Sequence, residues 1–478
     1  MKSNIKLTFL GEEKIKKIME AVYTVMETVG ADIHCPKAVE LLQTAGCVVD
    51  GIRVKIPRTL VEECIESAPE MVRIYDRRGK ETMLLGDRNS YFGSGPTCCN
   101  FIDPQTGERR LSRKEDAANT AKVVDALEHM DFAMSLVMIG DQTEKLADLH
   151  EVDAMLRNTT KPIATWAFTK KNLERIFEMC EAVAGGAEAF KERPFLIVYS
   201  EPTTPLTHTK DAIEKLMTAA EHYVPCVYTP GIIMGAAGPT SVAGCLTIGF
   251  AESLTGLVIH QLTAPGAPFI GGVGASPLDM KTMQAPYGTP EGNMLESASN
   301  EITRYLGIPG FDLAGATEAK TVDAQAGMEG MFGILISLLG GGNLIHDSGF
   351  IDIGLTGSLT HLVACNEMVG IAKRIAEGID VSDALIGLDT IAEVGPGGNF
   401  LSTKHTYQYF KKEHLIADLV ERRSYEAWES DGAKDYGMKA AEKVRYILEH
   451  HQAEPLAADV VKTIDKIIEE AEAENKEA

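Results

Sequence analysis

Aromatic rings stand at or just beyond the ends of short apolar runs: Tyr91 and Phe92, Trp166 and Phe168, Tyr199, Tyr228, then Tyr287 and Phe350 in later loops. Glu201 and His346 hold the same kind of position. Ring faces attract a cation that has no proton to donate, so such a set can cage an alkylammonium ion without a hydrogen bond to its nitrogen. Glu201 would add charge complementarity, and His346 or a loop amide could grip an anionic end of the same ligand. Each residue also has a plainer role. Rings pack cores, Glu201 before Pro202 can cap a loop, and His346 can be a satisfied strand-end histidine. Convergence on one cavity separates the two readings, and convergence depends on the elements that carry these residues.

The densest signal is Gly340-Gly341-Gly342-Asn343-Leu344-Ile345-His346-Asp347-Ser348-Gly349-Phe350. Glycines end a helical pattern, an apolar run follows, and a glycine-flanked loop receives His346, Asp347 and Phe350. Comparable runs lie at 91–94, 132–138, 162–168, 195–199, 225–228, 268–273 and 311–314, with the last at 343–346, and each is followed by apolar residues at helical spacing. Ser112-Arg113-Lys114-Glu115 reads as a capping box, and Thr289-Pro290 as a cap followed by a first-turn proline. This alternation predicts an α/β fold, a (β/α)8 TIM barrel over 89–378, with a doubly wound open sheet as the rival. Residues 1–88 read as a mixed α+β extension. Residues 379–478 read as a mainly helical C-terminal lobe whose charged end, 469–478, is expected to fray.

Composition removes several function classes. The 478 residues carry a formal charge of −23 with no long basic patch, which argues against a nucleic-acid partner. The nine cysteines are scattered and form no C-x-x-C pair, which suggests reduced thiols in a cytoplasmic protein. No signal peptide and no run of about 18 uncharged apolar residues is visible, so no membrane span is expected. Paired-cysteine and H-E-x-x-H motifs are missing, so no metal site is expected. Gly271-Gly272-Val273-Gly274 follows a strand but opens no helix, which fails the dinucleotide fingerprint.

Longer motifs carry a resemblance. Met234-Gly235-Ala236-Ala237-Gly238-Pro239-Thr240, Asp323-Ala324-Gln325-Ala326-Gly327, Gly342-Asn343-Leu344-Ile345-His346, Glu393-Val394-Gly395-Pro396-Gly397-Gly398-Asn399-Phe400-Leu401 and Arg423-Ser424-Tyr425-Glu426-Ala427-Trp428 resemble the trimethylamine methyltransferase family in order and over nearly the whole chain. The resemblance implies a (β/α)8 enzyme that moves a methyl group from a methylated amine to the cobalt of a cognate corrinoid protein, with no cofactor tightly bound to the chain itself. It also implies a homo-oligomer. Trimethylamine enzymes of the family carry pyrrolysine near the positions that here read Phe350-Ile351-Asp352. That departure resembles the non-pyrrolysine branch and implies a quaternary amine. Glycine betaine is the first expectation, yielding dimethylglycine and methylcobalt(III), with proline betaine or carnitine, or a non-catalytic betaine-binding regulator, as alternatives. A quaternary ammonium leaves as a neutral amine and needs no general acid. The expected site therefore works by positioning, through Phe92, Trp166, Tyr199, Glu201, Tyr228, Tyr287, His346 and Phe350.

Overall fold

Short parallel strands alternate with helices in the computed structural model, which describes residues 1–477. The strands are β1 (Tyr91–Ser94), β2 (Ile163–Thr165), β3 (Leu196–Ser200), β4 (Cys226–Tyr228), β5 (Phe269–Ile270), β6 (Phe311–Leu313) and β7 (Leu344–Ser348). β2 to β5 form one parallel sheet in chain order, and β6, β7 and β1 form another. Single parallel bridges join the two: Gly93 to Phe132, Ala133 to Ile163, and Gly271 to Gly310. The pairing therefore passes from strand to strand and returns to β1.

The second run is less regular than its sequence suggests. Only Phe132 and Ala133 pair as strand neighbours, after which Leu136 takes a φ of 63° and Val137 bridges Cys98. A local bond favours this path, because the Ser135 hydroxyl donates to the Val137 carbonyl.

Inside the circuit, Phe132, Ala164, Ile197, Val227, Ile270, Phe311 and Leu344 make one apolar layer. A hairpin, Val72–Tyr75 with Glu81–Leu85, contributes Val72, Ile74, Met83 and Leu85 to the same layer. Side chains alternate along a strand, so the neighbours of these residues point outward at the helices.

Those helices are α1 (Lys114–Ala126), α2 (Ala147–Asn158), α3 (Lys170–Ala184), α4 (Lys210–Glu221), α5 (Val242–Thr263), α6 (Pro290–Leu306), α7 (Ala324–Gly340) and α8 (Leu359–Ala376). The side chains of Thr169, Thr209, Ser241, Thr289, Asp323 and Ser358 accept first-turn N–H groups of their helices, which fixes where each helix leaves its loop. α1 starts one residue later than the Ser112 box predicts. Arg113 is its cap and donates its N–H to Asp116, while the Ser112 hydroxyl donates to the Cys98 carbonyl.

By length and composition α5 is apolar enough to cross a membrane. Here it packs against α4, α6 and the N-terminal helices Glu12–Thr24 and Arg58–Ser67. Its apolar residues cover every side because protein covers every side. The N-terminal strand Ala31–Ile33 pairs in parallel with Thr207–His208, just beyond β3.

The C-terminal end does not fray as expected. Helix Ala458–Glu477 packs on α3, with Ile464, Ile467 and Ala471 buried. Glu472 meets His150 at 3.0 Å and Glu474 meets Arg175 at 2.6 Å. The apolar stripe, masked in sequence by its charged neighbours, anchors the segment; Ala478 lies outside the described residues.

Two expected cage residues belong to the outward set. Phe92 is fully buried against α1 and α8 residues such as Val124 and Leu362. Tyr228 is fully buried against α5, with its hydroxyl 2.8 Å from His208 Nδ1. Both are core residues, because strand alternation turns them away from the interior. Gly256 of α5 accommodates the Tyr228 ring, and a Cβ there would lie 2.1 Å from the ring's Cδ1. Gly256→Ala is expected to lower stability by about 2 kcal/mol through overpacking, read as a lower urea midpoint. An unchanged midpoint would mean that the ring yields freely.

Candidate functional site

The carboxyl ends of the strands open into a cavity of about 900 Å³. Trp166, Tyr199, Tyr287, Phe311 and Phe350 supply its aromatic wall. Phe350 is 5% exposed and meets Tyr287 edge to face, with centroids 6.3 Å apart. Trp166 meets Phe168 in the same manner at 4.6 Å. Tyr199 lies 5.5 Å from Phe311, and its hydroxyl donates to Glu201 Oε2 at 2.5 Å.

Gly95, just beyond β1, makes this closeness possible. A Cβ there would sit 2.3 Å from the Phe350 ring and 2.7 Å from Asp347 Oδ1.

His346 is held on three sides. Its ring stacks on Phe311 at 4.1 Å, and Nδ1 lies 2.8 Å from the Asp312 carbonyl. A carbonyl only accepts, so Nδ1 carries the hydrogen. Nε2 then faces Asp347 Oδ1 at 3.1 Å. With a carboxylate already at its outer nitrogen, His346 is poorly placed to receive an anion, in contrast to its expected grip on an anionic group.

Besides the exposed Asp211, four acidic side chains line the same space: Glu201, Glu296, Asp312 and Asp347. Burial raises the pKa of each. Beyond burial, Asp312 pushes Glu296 up further, whereas Tyr199 partly offsets the rise at Glu201. Asp312 Oδ2 accepts from Asn300 and Ser337, which fixes its carboxyl. Asp347 is 2% exposed, adopts a φ of 78°, and its Oδ1 has no hydrogen-bond partner. Glu201 opens onto the cavity although protein surrounds it.

A permanent cation would relieve these carboxyls and settle on the ring faces without asking for a hydrogen bond. Among the described residues no three of His, Cys, Asp and Glu are grouped to hold a metal ion.

Trp166, Tyr199, Glu201, Tyr287, His346 and Phe350 thus share one cavity, while Phe92 and Tyr228 do not reach it. Sequence reading missed Phe311, Asp312, Asp347, Glu296 and Lys215. Position alone flagged three of them: Phe311 and Asp312 lie in an expected strand, and Asp347 follows His346. Glu296 and Lys215 come from helices and carried no such signal.

The model of the trimethylamine methyltransferase (MTTB) family matches residues 2–475. Trimethylamine methyltransferase MttB of Desulfitobacterium hafniense is 32% identical over 98% of this chain and 95% of its own length. The glycine betaine methyltransferase of the same species is 29% identical over 88% of each chain. Among solved structures, the monomethylamine methyltransferase MtmB of Methanosarcina barkeri superposes with a TM-score of 0.53 at 10% identity, covering 92% of this chain and 87% of that one. That likeness shows a shared mixed α/β fold.

One buried acid behind the cavity wall yields a stability test. Glu151 is fully buried, accepts from the Ile139 N–H at 3.1 Å, and neighbours the Ser135 hydroxyl and the Trp166 indole N–H. Burial pushes its carboxyl up to about 8. Between the unfolded value of 4.5 and about 8 the folded state holds a proton that the unfolded state has released. Stability from this group is therefore full below 4.5 and falls as pH rises, by roughly 1.4 kcal/mol per unit within the window. Glu151→Gln should remove that slope in urea titrations run from pH 5 to 8. Parallel slopes for variant and wild type would exclude Glu151 as its source.

Proposed function

Because the chain belongs to the trimethylamine methyltransferase family and is a methyltransferase, we propose that it moves a methyl group from a quaternary amine, with glycine betaine the best candidate, to the cobalt(I) of a corrinoid carried by a cognate protein. The observation that carries the reading is the pairing of ring faces with buried carboxyls in one cavity, with Phe350 and Asp347 in contact distance of the same Gly95. Phe350 stands near the position where the resemblance implies pyrrolysine in trimethylamine enzymes. A glycine betaine methyltransferase among the relatives supports the choice of substrate. We read the strand circuit as a (β/α)8 barrel over 89–378 with an α+β extension before it and a helical lobe after it. The bridges at Gly93, Ala133 and Gly271 support that reading.

In this reading Trp166, Tyr287 and Phe350 hold the trimethylammonium group by their faces, and Asp347 supplies a fixed negative charge beside it. The C–N bond breaks with its electron pair left on nitrogen, so the leaving amine is neutral and no side chain donates a proton to it. The side chains contribute positioning and exclusion of water, turning one N-methyl toward the mouth in line with the acceptor. The cavity is large enough for proline betaine or carnitine as well as glycine betaine, so the substrate panel must include all three.

Mixing the protein with reduced corrinoid protein and glycine betaine is expected to convert the cobalt(I) spectrum to that of methylcobalt(III). Binding without conversion would favour a betaine-responsive regulator. Phe350→Ala should slow the transfer about tenfold, or about 1.4 kcal/mol. An unchanged rate removes Phe350 from the cage.

A further inference from the structure

Among the described residues, Lys215 is the only lysine or arginine that lines the cavity. It projects from α4, and its ammonium donates to the Ala167 carbonyl, just beyond β2, at 2.6 Å. Among the described residues no carboxylate lies within 4 Å of that ammonium, although Asp211 stands one turn earlier on the same helix and Glu201 lines the same wall. Lys210, which starts the same helix, behaves differently and pairs with Glu214 on the exposed face. Burial lowers the pKa of Lys215, and the charges of Asp211 and Glu201 offset that only in part.

A half-buried cation that forgoes a nearby carboxylate and faces a cavity is costly unless a ligand completes its shell. A second group points the same way. The Thr229 hydroxyl, at the end of β4, is 4% exposed, lines the cavity and has no hydrogen-bond partner. Lys215 and Thr229 thus offer free donors on the β2–β4 side of the circuit. The unbonded oxygen of Asp347, near the end of β7, and the Phe350 ring just beyond it lie across the circuit, where Tyr287 of the segment between β5 and α6 packs on Phe350.

We propose that Lys215, with the Thr229 hydroxyl, binds the substrate's carboxylate, so that the cavity is a site for a zwitterion with its anionic end at α4 and its cationic end beyond β7. The inference rests on the quaternary-amine reading and deepens it. It moves the anion grip from His346, whose outer nitrogen already faces Asp347, to a residue with donors to spare. A carboxylate there gains a charge-assisted hydrogen bond, and a ligand without one gains nothing from Lys215.

Isothermal titration of the full-length protein with glycine betaine and with tetramethylammonium separates the possibilities. The two probes share the cation and differ in the carboxylate. Lys215→Met is expected to weaken glycine betaine binding about tenfold or more while leaving tetramethylammonium within about twofold, and Lys215→Arg is expected to recover most of the loss. Equal loss of both probes in Lys215→Met would assign the lysine a purely structural role and overturn the proposal. So would glycine betaine binding at the wild-type level in that variant. If the wild type binds tetramethylammonium but not glycine betaine, the anion grip fails and the cation cage stands. If it binds neither, the quaternary-amine reading itself fails.

Discussion

Strand alternation in a returning parallel circuit governs everything else in this protein. A residue within a strand either faces the interior or faces a helix. Phe311, although the first residue of β6, faces inward, belongs to the inner layer and stacks its ring on His346 at the cavity. Tyr228, at the carboxyl end of β4, faces outward, and α5 keeps Gly256 where the ring must pass. The face a residue presents, more than its type, decides which strand aromatics can meet a ligand.

The cavity that results is electrostatically unfinished. Glu201, Glu296, Asp312 and Asp347 are each raised by burial, and among the described residues a single lysine lines the cavity with no carboxylate within 4 Å of its ammonium. Groups that served packing alone would be paired or replaced by apolar residues, because unpaired burial costs stability. In the proposed reading the same arrangement serves a molecule that brings its own positive and negative ends. His346 then acts as a spacer between the two regions, tied to the Asp312 carbonyl on one side and facing Asp347 on the other.

Helix caps set the precision of these walls. Thr209 starts α4 and so sets where Lys215 projects, while Thr289 does the same for α6 and Glu296. Gly95 plays the complementary part by leaving space, so that the Asp347 carboxyl of β7 and the Phe350 ring just beyond it close on the end of β1. The caps and the glycine set how far apart the groups that line the cavity are held.

From sequence alone, the period of the apolar runs gave the strand and helix order, and the cap at Thr289 gave a helix start, because these signals are local. The long motifs resembled the right family, and Trp166, Tyr199, Glu201, Tyr287, His346 and Phe350 could be placed near strand ends. The face each residue presents was not legible: Phe92 and Tyr228 were indistinguishable from their neighbours until pairing fixed the direction of their side chains. The charged C-terminal end looked loose because its anchoring stripe meets α3, a partner distant in the chain. Lys215 and Glu296 were hidden for the same reason, since a helix residue reaches a cavity only through tertiary packing. The sequence determined which elements form and what chemistry they carry; the tertiary structure alone decided which side chains share the cavity, because that depends on register and packing between segments hundreds of residues apart.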